Sequence, residues 1–208
     1  MKHEFLVTGF TCIVRTIYWM NIVEYVKLLS VCVLSVVVSR ELTSEDKRAA
    51  AGIGIDLYQV AKFSVILLLL AYGIGDIWAE YITYYLISSN AFTYFYYHAW
   101  GSQYSQRNDL EGQRRRLLNF LLAITFYILC YAYLYQVHFV QYITWPEEQA
   151  DTTNALYLSV ANAFTLTYGG FAPKAQIARM LFMTELINTF FFFTILVSNS
   201  VPSIGRKE

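Results

Sequence analysis

Ser159-Val-Ala-Asn-Ala-Phe-Thr-Leu-Thr-Tyr-Gly-Gly-Phe-Ala-Pro173 is the stretch on which the fold turns. It is too polar and too rich in glycine to cross a bilayer, yet apolar segments long enough to do so flank it. Irregular backbone at membrane depth is tolerated only where protein buries it or where it lines a watery path. A short helix running into Thr165–Gly169 is therefore expected, as a re-entrant loop whose working groups are backbone carbonyls.

At these residues the chain resembles the pore loop of tetrameric potassium channels, whose usual run is S-V-V-T-L-T-T-V-G-Y-G-D-I-x-P. Laid on without a gap, Ser159, Val160, Thr165, Tyr168, Gly169 and Pro173 match, and Leu166 replaces Val conservatively. Arg179 falls where that family often carries Arg at the start of its inner helix. The resemblance covers roughly residues 117–201 and leaves the first half of the chain out. It implies a filter at Thr165, Leu166, Thr167, Tyr168 and Gly169, holding potassium at its backbone oxygens, with the Thr165 hydroxyl at the inner end. It also implies a homotetramer, because one loop supplies one strand of carbonyls and caging a dehydrated cation takes several.

Three residues depart from that pattern. Thr167 stands where the family has a glycine in left-handed conformation, which costs a side-chain-bearing residue on the order of 1–2 kcal/mol. Gly170 replaces an acid at the outer mouth, and Phe164 replaces a Thr just before the filter. The resemblance is compatible with a potassium filter of altered backbone, a less selective cation filter, or a pore that no longer conducts.

Composition supports a membrane setting independently. The 208 residues are 57% hydrophobic and only 14% charged, against about a quarter charged in soluble domains. Uncharged runs such as 117–137 exceed the roughly 20 residues that cross a bilayer. Cys12, Cys32 and Cys130 are scattered among apolar residues at no ligand or disulfide spacing. No cofactor is expected, and the balanced charge gives no basic face for nucleic acid.

The expected architecture is all-α, with four transmembrane helices and one re-entrant segment. Residues 1–100 form an accessory half with spans near 18–38 and 60–87. Glu24 and Lys27, three apart, share a face of the first span and can pair. Thr43-Ser-Glu-Asp46 offers a helix start, while Gly52 and Gly54 loosen the continuation of that helix. Asp76 and Glu80 share a face of the second span, either as interfacial acids among tyrosines or as ion- or proton-sensing groups. His98 and His138 read as ordinary interfacial histidines.

A polar cytoplasmic link covers 101–116, and the pore module covers 117–201. Within it lie an outer helix, a pore helix over 152–164 capped by Asp151 or Thr152, the filter at 165–169, and an inner helix over 178–201. Residues 202–208 are expected to be a short tail, with no ligand-binding domain expected in them. Arg114–Arg116 and Arg206–Lys207 vote for the cytoplasmic side, so the loop enters from outside, both termini are expected inside, and the plasma membrane is the expected location. Glu147, Glu148, Asp151 and Gly170 then mark the outer mouth. Tyr157, Asn162 and Glu185 support the filter, with a buried hydrogen bond expected from Glu185 to Tyr157 or Asn162.

Passive cation conduction, potassium first, is the leading expectation. The alternative is a non-conducting scaffold or accessory subunit derived from a channel. An intramembrane enzyme is a distant third, since Asp76, Glu80 and His98 form no recognised constellation. No span carries arginines at every third position, so a voltage sensor is not expected.

Overall fold

The computed structural model describes residues 4–38, 43–97, 110–146, 150–166 and 169–200. Among the described residues, three helical segments are long and apolar enough to cross a membrane: Ser44–Tyr72, Leu117–His138 and Gln176–Ile195. The bent pair Val7–Met20 and Ile22–Val38 supplies a fourth when counted as one span. The chain is an all-α integral membrane protein.

It divides into two compact units, Met1–Ser64 and Val65–Glu208. In the first, helix α1 (Glu4–Met20) and helix α2 (Ile22–Val38) meet at an angle of 54°. The span expected from residue 18 is thus interrupted at Asn21. The cause is local: the Asn21 side chain accepts from the Val23 amide at 3.3 Å, starting a new helix there. Tyrosines on the two sides of the break bond across it. Tyr25 hydroxyl donates to the Trp19 carbonyl at 2.7 Å, and Tyr18 hydroxyl donates to Glu24 at 2.7 Å. Lys27 completes the expected local pair with Glu24 at 3.0 Å.

Helix α3 (Ser44–Tyr72) opens on a reciprocal cap. The Asp46 amide donates to Thr43 Oγ1 at 3.2 Å, and the Thr43 amide donates back to Asp46 Oδ2 at 3.1 Å. Gly54 does not loosen this helix. A Cβ added there would lie 2.8 Å from Ser30 Cβ on α2, so glycine permits the two helices to approach closely. Gly54→Ala should destabilise this unit by about 2–3 kcal/mol, the upper range for overpacking, because turning the Ser30 side chain moves its hydroxyl but leaves its Cβ in the way. Thermal melting in mild detergent checks this, and Ser30→Ala should restore part of the loss.

In the second unit the expected span over 60–87 is broken in two. Gly73 adopts φ +59° and the Ile74 amide donates back to the Leu69 carbonyl at 3.3 Å, which closes α3 with a left-handed turn. Asp76 then caps helix α4 (Ile77–Phe95), accepting from the Trp78 amide at 2.8 Å. Here a continuous apolar pattern hides a glycine stop followed at once by an aspartate start.

Helix α5 (Leu110–Tyr133) lies antiparallel to α4. At one end Tyr133 hydroxyl donates to the Ile74 carbonyl at 2.6 Å, and His138 Nδ1 lies 3.4 Å from Glu80. Midway, Asn90 donates to the Ala123 carbonyl at 3.0 Å, and near the far end Tyr94 packs on Phe120 with ring centres 5.6 Å apart. After α5 the chain makes one π turn, Leu134–His138, and a short 3₁₀ turn, Val140–Tyr142.

Strand β1 (Ile143–Thr144) pairs antiparallel with strand β2 (Ala172–Pro173), placing Ile143 opposite Pro173. Between them lies helix α6 (Thr152–Ala163), and after them helix α7 (Gln176–Ser200). The core of this unit forms where α5, α6 and α7 pack on one another, and it holds Phe126, Leu134, Leu158, Ala178 and Phe192.

Candidate functional site

The segment over 145–171 leaves and returns at one place. The Lys174 amide donates to the Tyr142 carbonyl at 2.8 Å, directly beside the two-residue β ladder. Its outward limb is α6, whose amino end is capped by Asp151 Oδ1 accepting from the Asn154 amide at 2.7 Å. Thr152 hydroxyl also reaches Gln136 Oε1 in the π turn at 3.2 Å. The helix expected over 152–164 is this α6, ending one residue earlier.

One side of α6 is pinned by a buried polar knot centred on Glu185 of α7. Glu185, Ser159, Asn162 and Tyr135 all have 0% exposure. Tyr135 hydroxyl and Asn162 Nδ2 each approach Glu185 Oε2 at 2.6 Å, and Ser159 hydroxyl contacts Oε1. Asn162 also donates to the Phe182 carbonyl at 3.1 Å, and Ser159 reaches the Ile128 carbonyl at 3.0 Å. The knot therefore joins α5, α6, α7 and the π turn through side chains that bilayer lipid could not satisfy.

The expected bond from Glu185 to Asn162 is present, whereas Tyr157 lies elsewhere. Tyr157 is about half exposed, and its hydroxyl sits 3.6 Å from where a Cβ on Gly169 would be. Its ring packs on Phe171 at 5.8 Å, and Phe171 in turn meets Trp145 edge-on at 5.6 Å. Trp145 is held by its indole N–H donating to the Val140 carbonyl at 3.0 Å. This aromatic row stands behind Gly169 and Gly170, which adopt φ +53° and +101°.

The return limb begins at a second left-handed stop. Thr165 has φ +55°; its amide donates to the Asn162 carbonyl at 3.1 Å, and the Leu166 amide donates to the Ala161 carbonyl at 2.7 Å. These two bonds are those of a Schellman turn, in which glycine is the usual left-handed residue. Backbone strain thus falls on Thr165. Thr167, where the strained step is expected, lies outside the described residues, as do Tyr168, Glu147 and Glu148. Phe164, Thr165, Leu166, Gly169 and Gly170 are exposed, and Phe164 meets Phe193 of α7 edge-on at 6.2 Å.

Sequence reasoning overlooked the contributions of Ser159 and Tyr135. A signal existed for the second: Tyr127, Tyr131 and Tyr135 recur every four residues, so they fall on one helix face. Tyr127 meets Thr189 at 2.8 Å, and Tyr131 meets Asn188 at 2.8 Å and Thr184 at 3.2 Å. His138 is likewise more than an interfacial histidine, since Nε2 lies 2.9 Å from the Tyr133 hydroxyl and Nδ1 faces Glu80. Asp76, read beside Glu80, is instead a helix cap. Among the described residues no group of three or more His, Cys, Asp or Glu side chains could hold a metal ion.

No family model matches the chain, and no curated protein or solved structure matches it either.

Proposed function

We propose that the chain assembles as a homotetramer around the Thr165–Gly169 loop and conducts cations passively, potassium first, through backbone oxygens of that loop. The observation that carries this reading is a non-helical, exposed return limb tied into a chain that crosses the bilayer. Irregular backbone is not left against lipid, so the face at 164–166 and 169–170 calls for a covering of protein or water. Copies of the same loop around an axis would supply both. Carbonyl rings can replace a cation's hydration shell, and the carboxyl end of α6 offers the negative pole of its dipole to that cation. In this reading the loop enters from outside, with Asp151, Glu147, Glu148 and Gly170 near its outer mouth and the chain in the plasma membrane.

Flux from liposomes holding the purified protein tests the proposal. Potassium-dependent flux under an imposed gradient is expected, and no flux under any gradient argues against it. Because Thr167 replaces a glycine of the resembled filter, discrimination of potassium from sodium should be relaxed. Thr167→Gly should shift the reversal potential in mixed potassium and sodium toward potassium. Strong native selectivity that the substitution leaves unchanged would remove this argument.

One observation favours a second reading, a non-conducting assembly with the same packing. Thr165, expected at the inner end of the filter, is occupied in closing a helix-terminal turn. That reading predicts assembly without flux, and Thr167→Gly then changes stability without producing current.

A further inference from the structure

Helix α4 is not among the segments that composition marks as a span, for it carries Thr83, Ser89, Asn90 and several tyrosines. Those three polar residues are buried. Its outward residues are Ile77, Trp78, Tyr81, Ile82 and Tyr85, an aromatic and aliphatic face suited to lipid. Its contacts with α5 and the π turn after it run from Glu80 against His138 to Tyr94 against Phe120. These contacts span about 21 Å of α4 and the whole helix, Ile77–Phe95, about 28 Å, against ~30 Å of hydrocarbon. A helix lying antiparallel to a span over that length crosses with it.

We infer that α4 is a membrane crossing that hydropathy conceals, and that the chain crosses five times instead of four, leaving its two ends on opposite faces. The count is the three apolar spans, the bent α1–α2 pair as one, and α4. Crossing by both α3 and α4 returns the link before α3 to the face that holds residues 98–116.

The distribution of positive charge points independently to the same arrangement. Arg40, Lys47 and Arg48 precede or open α3, Arg107 precedes α5, Arg114–Arg116 lie in the first turns of α5 just before its apolar span from Leu117, and Arg206 and Lys207 follow α7. Five crossings gather all of these on one face, the cytoplasmic one by the positive-inside rule. The link at 73–76 has no Lys or Arg, and the connection over 139–175 has only Lys174. Four crossings with residues 60–87 as a single span would put Arg40, Lys47 and Arg48 outside. On the five-crossing count the amino-terminal residues lie outside and the carboxyl-terminal ones inside.

Epitope tags at the amino end, at residue 41 and at the carboxyl end test this in intact and permeabilised cells. The amino-terminal tag should stain in intact cells, and the other two only after permeabilisation. Point variants Lys2→Cys and Lys47→Cys, reacted with a membrane-impermeant maleimide, give the same readout without inserted sequence. Ends found on the same face, or a residue-41 or residue-47 probe reached from outside, would overturn the inference. The outcome does not depend on whether the protein conducts.

Discussion

Glu185→Ala is expected to destabilise the second unit by about 3 kcal/mol, while Glu185→Gln should cost less than about 1 kcal/mol. The difference lies in what each leaves buried. Alanine removes the acceptor used by the Tyr135 hydroxyl, Asn162 Nδ2 and Ser159. Asn162 and Ser159 retain carbonyls of Phe182 and Ile128 to donate to, but Tyr135 does not. A buried donor left unsatisfied costs about 1–3 kcal/mol, and the void beside it adds a cavity penalty. Glutamine keeps the shape. Its carbonyl can accept from Tyr135 and Asn162, and its amide can donate to the Ser159 oxygen while that hydroxyl donates to Ile128. Chemical denaturation in mild detergent, followed by a tertiary signal, gives the ranking. If glutamine proves as damaging as alanine, the knot does not anchor α6 in the way described.

Thr165→Gly should stabilise each chain by about 1–2 kcal/mol, the cost of holding a residue with a Cβ in left-handed conformation. The molecule contains its own comparison. The turn ending α3 and the turn ending α6 share the same hydrogen bonds, from the residue after the left-handed position back five places along the chain. In the first the left-handed residue is Gly73 at φ +59°, and in the second it is Thr165 at +55°. A β-branched residue at such a position persists only where its surroundings over-determine it. The surroundings here include Asn162, whose carbonyl takes the Thr165 amide and whose side chain is anchored in the buried knot. In an assembly of four the gain from glycine would be multiplied by the number of copies. The melting temperature of Thr165→Gly should rise; an unchanged or lowered value would mean that the threonine side chain makes a compensating contact.

Where the sequence carried a complete local signal, the fold was legible. Asp151 before Thr152-Thr-Asn-Ala, and Thr43 three residues before Asp46, are capping patterns whose effect reaches only one turn, so no distant residue can overrule them. The apolar runs over 117–137 and in the last span were equally plain. Residues 60–87 misled because their apolar content is continuous, and the two residues that divide it, Gly73 and Asp76, act through backbone angle and a single amide. Asn21 acts similarly between α1 and α2. The π turn was invisible, because it depends on how one extra residue is absorbed between α5 and β1.

At the candidate site the short helix α6 was legible, but the side chains that pin it were only partly so. Asn162 and Glu185 stood out as polar residues in apolar helices. Ser159 and Tyr135 did not, because small hydroxyls and tyrosines are common beside membranes and only packing reveals which of them turn inward. Thr167, where the resemblance places strain, lies outside the described residues; among the described residues a left-handed side-chain-bearing residue occurs at Thr165, where helix termination sets it.

The central claim is that copies of the 164–171 loop face one another around a cation path. A density map of the purified protein in potassium tests it most directly. The account predicts four copies about an axis through Thr165–Gly169, with ion density on that axis. A single copy, or an assembly in which those residues face away from the axis and the axis is empty, would contradict it.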